Sequence, residues 1–149
     1  MQVTIIRVAG RDKQFEEIAQ EYIKRLSKQC EIHTVKPLKN LTQQETIKRE
    51  THLVLDKLGT ISWEFTTNVL QLWSSEYSSE EFSETFCGHT HQVFLIGGPY
   101  GFDYKMLRSS WARSVSFGNH TLPHGLAYVT LLEQLYRGWT LQVGKKYHY

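Results

Sequence analysis

Cysteine is scarce in this chain of 149 residues: only Cys30 and Cys87 occur. Neither stands in a CxxC spacing or beside a histidine ligand pattern. That excludes a zinc ribbon and a disulfide framework, and leaves two small side chains for the interior. Long apolar runs are also lacking. No stretch approaches the roughly 18 residues that a membrane helix needs. The opening Met1-Gln-Val-Thr-Ile-Ile-Arg7 has neither the basic region nor the apolar stretch of a secretory signal, so a cytoplasmic protein is expected. There are no repeats and no linker, and the length suits one domain over residues 1–149. Neither a GxGxxG fingerprint nor the Gly-Lys-Ser/Thr of a phosphate loop is present, which argues against the common dinucleotide and ATP folds.

What is present is a chain that is 40% hydrophobic, enough for a real core. The net charge of +2 says little; its distribution says more. Residues 105–149 hold six cations against Glu133 alone, a net of +5, while the remainder carries eleven cations against fourteen carboxylates, a net of −3. A basic final third beside an acidic remainder points to an anionic partner.

The pattern along the chain predicts alternating strands and helices. Val3–Val8 reads as a strand, and Phe15, Ile18, Ala19, Tyr22, Ile23 and Leu26 fall on one face of a helix over about 12–28. A strand over Cys30–Val35 follows. Thr42-Gln-Gln-Glu45 is a capping box that opens a helix ending near Gly59, and Ser78-Ser-Glu-Glu81 is another, opening a helix to about Cys87. Residues 60–67 fit neither pattern, and Val69–Leu72 reads as a strand. Gln92–Ile96 is a buried strand, Asp103 caps a helix to about Ala112, Ser114–Phe117 is a fifth strand, and a long helix runs from about Gly125 to Trp139. This alternation implies a mostly parallel α/β sheet, and ligands of such sheets sit at the carboxyl ends of the strands. Three loops are thereby singled out: the one at Leu72, the one after Ile96, and residues 117–122.

Each of these regions carries candidate chemistry. Gly97-Gly-Pro-Tyr-Gly101 lets a ligand approach the backbone, though it also suits a tight turn. Leu122-Pro-His-Gly125 opens the last helix, where Pro is ordinary; His124 beside the helix amides can meet a phosphate or a polarised base, or simply cap the helix. The last helix places Leu131, Leu132, Leu135 and Tyr136 in a core or a dimer seam, with Glu133 and Arg137 either solvated or part of a site. The tail, Lys145-Lys-Tyr-His-Tyr149, combines cations and rings suited to an unstacked RNA base, and is otherwise a fraying end.

Taken in order, Phe94-Leu-Ile-Gly-Gly-Pro-Tyr-Gly101, Ser116-Phe-Gly-Asn-His-Thr-Leu-Pro-His124, Leu132-Glu-Gln-Leu-Tyr-Arg137 and Tyr147-His148 resemble the ribosomal RNA large subunit methyltransferase H family of the SPOUT class. Ser78-Ser-Glu-Glu-Phe82 matches as well, and the resemblance is clear over about 69–149. In the amino-terminal half it is confined to the strand-helix-strand outline and to Glu21-Tyr22 and Lys24-Arg25-Leu26. The resemblance implies a SPOUT α/β fold with a carboxyl-terminal trefoil knot, a homodimer, and S-adenosylmethionine as methyl donor. The implied reaction is methylation of N3 of a pseudouridine in 23S rRNA of the assembled ribosome. By position, Leu72, Gly97, Phe117, Gly118, Asn119, His120, Thr121 and Leu122 would hold the cofactor. His124, Arg137, Tyr147 and His148 would lie near the methyl acceptor, with the tail reaching across the dimer, and no metal is implied. His124 and His148 are both candidates for the proton acceptor. This chain has Tyr128 where the family carries Arg, Trp73 and Ser75 where it carries an acidic residue and a glycine, and Tyr149 where a basic residue is common. Two other functions remain compatible with the sequence: a SPOUT enzyme acting on another RNA such as tRNA, and a catalytically impaired module that binds RNA or the ribosome.

Overall fold

The computed structural model describes residues 1–110 and 113–147. Five strands form one sheet: β1 (Gln2–Val8), β2 (Cys30–Val35), β3 (Phe65–Leu70), β4 (His91–Ile96) and β5 (Arg113–Val115). All pairings are parallel, in the order β2-β1-β4-β3-β5. Because β1 and β4 lie inside the sheet, their residues alternate between two buried faces rather than between core and solvent. Val3, Ile5, Phe94 and Ile96 enter one apolar cluster; Ile6, Val8, Val93 and Leu95 enter the other.

Five helices cover the two faces. α1 (Lys13–Leu26), α3 (Ser79–Phe86) and α5 (His124–Gln142) lie on the first face, burying Ala19, Leu26, Phe82, Phe86, Leu131, Leu132 and Leu135. On the second face α2 (Gln43–Leu58) and the single turn α4 (Tyr104–Leu107) contribute Val54, Leu58 and Leu107. Both expected capping boxes form: Thr42 with Glu45 and Ser78 with Glu81 satisfy each other's backbone donors. α5 packs against both α1 and α3, and two glycines permit it. A Cβ on Gly125 would fall 2.3 Å from the Phe15 ring, and one on Gly138 would fall 2.5 Å from Cys87 Sγ. Gly138 therefore marks a close helix crossing, not an end, and α5 continues to Gln142.

Several boundaries differ from the sequence pattern. β3 occupies 65–70 rather than 69–72, because its polar residues are paired instead of exposed: buried Asn68 donates to Gln92 Oε1 on β4 at 2.9 Å. α4 stops at Leu107, where the chain tightens into a turn closed by Ser110 N–H donating to Leu107 O. β5 ends at Val115, although Ser116 still bridges to Glu76. Cys87 is buried and Cys30 half-buried; both are free thiols that burial pushes up to about 12. Among the described residues no helix is long and apolar enough to cross a membrane.

Candidate active site

In register, Arg7 of β1 lies opposite Ile96 of β4, and Ile96 opposite Leu70 of β3. The strands thus end together, and the loops that follow β3, β4 and β5 leave the same edge of the sheet.

The loop after β3 is pinned to the β5 side by three bonds. Gln71 N–H donates to Val115 O at 3.0 Å, Gln71 Nε2 to Ser114 Oγ at 2.8 Å, and Ser116 N–H to Ser75 O at 2.9 Å. At its tip Trp73 has φ 57°, the left-handed region, and the residue is 77% exposed. The glycine loop after β4 closes through Gly101 N–H donating to Gly98 O. A Cβ on Gly97 would press on the Gly101 backbone at 3.1 Å, and one on Gly98 would sit 2.7 Å from Glu50 Oε2 and displace that carboxylate. The third loop, 117–122, turns at Gly118 (φ 107°), where Ser116 Oγ donates to the Gly118 carbonyl.

α5 begins at His124, and this residue ties two of the loops together. Its Nδ1 lies 3.0 Å from Gly97 O. A carbonyl only accepts, so Nδ1 carries the proton and Nε2 keeps the lone pair. Nε2 is buried and finds no hydrogen-bond partner among the described residues. Burial lowers the His124 pKa below the usual histidine range, with Arg7 adding to the effect; the Gly97 bond and Asp12 oppose it. The imidazole is therefore neutral at physiological pH. Arg7 is itself buried, ion-paired to Glu16 at 2.7 Å, with its guanidinium 3.9 Å from the Tyr128 ring centre one turn beyond His124.

Together the loops enclose a cleft of about 510 Å³. Leu70, Ile96, Phe102 and Val115 give it apolar walls. Of the residues expected to hold a cofactor, Leu72, Gly97, Phe117, Gly118, His120, Thr121 and Leu122 line it, and so does His124; Asn119 does not. Trp73 and Tyr104 also line it, and the sequence had not marked either for binding. Their only advance signal was an aromatic ring placed in or just after a post-strand loop. A second hollow of about 530 Å³ lies between α2, β3 and Ser109–Ser110, with no titratable side chain among its described lining residues. Among the described residues nothing groups His, Cys, Asp and Glu as a metal site.

Arg137 and Tyr147 lie elsewhere. Arg137 is ion-paired to Glu133 at 2.6 Å, with its guanidinium 5.1 Å from the Tyr147 ring centre. Glu133 also accepts from Gln134 Nε2 and from the Tyr147 hydroxyl. Thirteen helical steps separate His124 from Arg137, roughly 20 Å at 1.5 Å per residue. A single chain therefore does not bring these two expected acceptor-site residues together. His148 lies outside the described residues.

A five-stranded parallel sheet with a cleft formed by three post-strand loops is a general α/β ligand site, and sequence relatives define its class. The family described as predicted SPOUT methyltransferase matches residues 1–148, and the chain belongs to it. Full-length relatives narrow the assignment. The chain is 33% identical to ribosomal RNA large subunit methyltransferase H of Mycoplasmopsis pulmonis and 36% identical to that of Acetivibrio thermocellus, covering 99% of both chains in each case. It is a methyltransferase of the ribosomal RNA large subunit methyltransferase H family. A solved structure from Bacillus anthracis shares the fold at 10% identity, with a TM-score of 0.60 and 99% of both chains covered.

Proposed function

We propose that this protein transfers a methyl group from S-adenosylmethionine to N3 of a pseudouridine in 23S rRNA of the assembled ribosome. It would do so in the cytoplasm, as a homodimer whose carboxyl-terminal segment forms a trefoil knot. The observation that carries the reading is the cleft between the three loops, in a chain that matches the named relatives from end to end.

The residues fit the donor. A cleft of about 510 Å³ falls within the ~300–1,000 Å³ common for small-molecule sites. Gly97 and Gly98 present bare backbone, and the backbone of 117–122 would supply polar contacts to the donor. Leu72, Gly97, Phe117, Gly118, His120, Thr121 and Leu122 would hold it, with Asn119 shaping the turn between them from outside the cleft lining. S-adenosylmethionine supplies an electrophilic sulfonium methyl.

The protein's task is alignment and proton removal, because the acceptor imide carries a proton on N3. The fixed tautomer of His124 supports a role as proton acceptor at Nε2, and His148 remains the other candidate. Arg137, positioned by Glu133, would steady the acceptor base or a phosphate, with Tyr147 beside it. The roughly 20 Å between His124 and Arg137 along α5 supports the homodimer, since a second copy can bring its Arg137 and tail to the first copy's cleft. The knot is carried by membership of the SPOUT family.

The test is mass spectrometry of 23S rRNA from a strain lacking the protein. One pseudouridine should lose a methyl group, and purified protein with labelled cofactor should restore it on isolated ribosomes. Unchanged 23S rRNA methylation in that strain refutes the reading.

A further inference from the structure

We infer that the exposed ring of Trp73 is a stacking platform for an unstacked base of the RNA substrate, at the mouth of the cleft. This inference rests on the methyltransferase reading above and adds the surface that receives the acceptor strand.

Methyl transfer needs the acceptor in line with the methyl group, so the acceptor strand must enter at the rim of the cleft that holds the donor. The walls of that cleft are apolar side chains and bare backbone, already suited to the donor. The rim is different. Trp73 stands there 77% exposed, with no core to complete. A flat aromatic face open to solvent beside a small-molecule cleft matches what single-stranded RNA offers, bases that stack on side chains.

The backbone under Trp73 points the same way. A φ of 57° favours glycine or asparagine, and a bulky residue there is strained. The neighbouring hydrogen bonds hold the strain in place: Gln71 to Val115 and Ser114, Ser74 Oγ to Gln71 O at 3.0 Å, and Ser116 N–H to Ser75 O. A tryptophan held in an unfavourable backbone, with its side chain in water, contributes nothing to packing. RNA is the occupant because the methyl acceptor in the reading above is a nucleic-acid base, and His120 lines the same cleft.

The strain makes the test clean, because Trp73→Gly removes the ring and relaxes the backbone in one step. The variant should fold with an unchanged or higher Tm. Its affinity for S-adenosylhomocysteine, measured by calorimetry, should stay within twofold of wild type, while KM for ribosomes rises about tenfold or more, the scale of one base stack. Trp73→Phe should recover most of that loss. Adding an unstructured uridine-rich RNA oligonucleotide should quench tryptophan emission in wild type and distinctly less in Trp73→Phe. An unchanged ribosome KM in Trp73→Gly overturns the proposal. So does weakened S-adenosylhomocysteine binding with unchanged KM, which would make the ring a cover for the donor. If wild-type protein methylates no ribosomal RNA, the functional reading fails instead, and the quenching comparison still decides the role of the ring.

Discussion

Replacing Gly125 by alanine sets two known effects against each other. An added methyl would lie 2.3 Å from Phe15 Cδ2, 2.6 Å from Cγ and 2.9 Å from Cβ. Ordinary carbon contacts begin near 3.5 Å, so more than an ångström must be found. Rotating the Phe15 ring cannot supply all of it, because Phe15 Cβ is itself among the clashing atoms. α1 and the first turn of α5 must separate, and overpacking of this kind costs about 1–3 kcal/mol. Against it stands the gain in helix propensity from Gly to Ala, at most about 1 kcal/mol, and less at the second residue of a helix. The clash wins: net destabilisation should be about 1–2 kcal/mol, or roughly 2–8 °C in Tm for a chain of this size. Urea unfolding with unchanged m-value is the assay. The sharper measurement is the same substitution in a Phe15→Ala background. With the ring gone the 2.3 and 2.6 Å contacts vanish and only the 2.9 Å contact to the remaining Cβ opposes the propensity gain, so Gly125→Ala should cost distinctly less there. A Gly125→Ala protein as stable as wild type, or an equal loss in both backgrounds, would refute the reasoning.

Three other outcomes follow from the site. Gly97→Val should abolish S-adenosylhomocysteine binding by calorimetry in a protein that still folds, since even a Cβ there meets the Gly101 backbone at 3.1 Å; unchanged affinity would remove that loop from the donor site. His124 has a folded pKa below its unfolded value of about 6.5, so the unfolded chain binds the extra proton first. Stability should accordingly fall as pH drops below about 6.5, and His124→Gln should flatten that part of the Tm profile while leaving the contribution of His91, which burial also lowers. Deleting residues 147–149 should leave Tm within a few degrees of wild type and slow single-turnover methylation of ribosomes about 100-fold or more, the scale of a lost acid–base group; a wild-type rate would reduce the tail to a fraying end.

The elements legible in the sequence were those whose signal is local. Both capping boxes rest on side chains three residues apart, and each helix starts where its box places it. The parallel sheet followed from strand-helix alternation, and the three loops of the cleft followed from the sheet. What failed to show was long-range. β3 was misplaced because Asn68 finds its partner Gln92 on another strand. No local pattern explains Gly125 and Gly138 inside a helix; Phe15 of α1 and Cys87 beyond α3 supply the reason for them. The Arg7–Tyr128 stack joins β1 to α5, and no spacing rule connects those positions. The separation of His124 from Arg137 could be counted along the helix, but only once the helix was known to run unbroken through both.

The last-made part of the chain completes the first. α5 packs against α1, and the third wall of the cleft is residues 116–122, so the proposed donor site does not exist until residues 116–142 have been made and docked. Chains emerge at roughly 5–20 residues per second, and parallel sheets with distant contacts close slowly. On the proposed function, a chain still lacking these residues would hold no methyl donor. The donor would then bind only folded molecules and stabilise them by mass action, so its cellular concentration would bear on how much of this protein survives to act as well as on how fast it works.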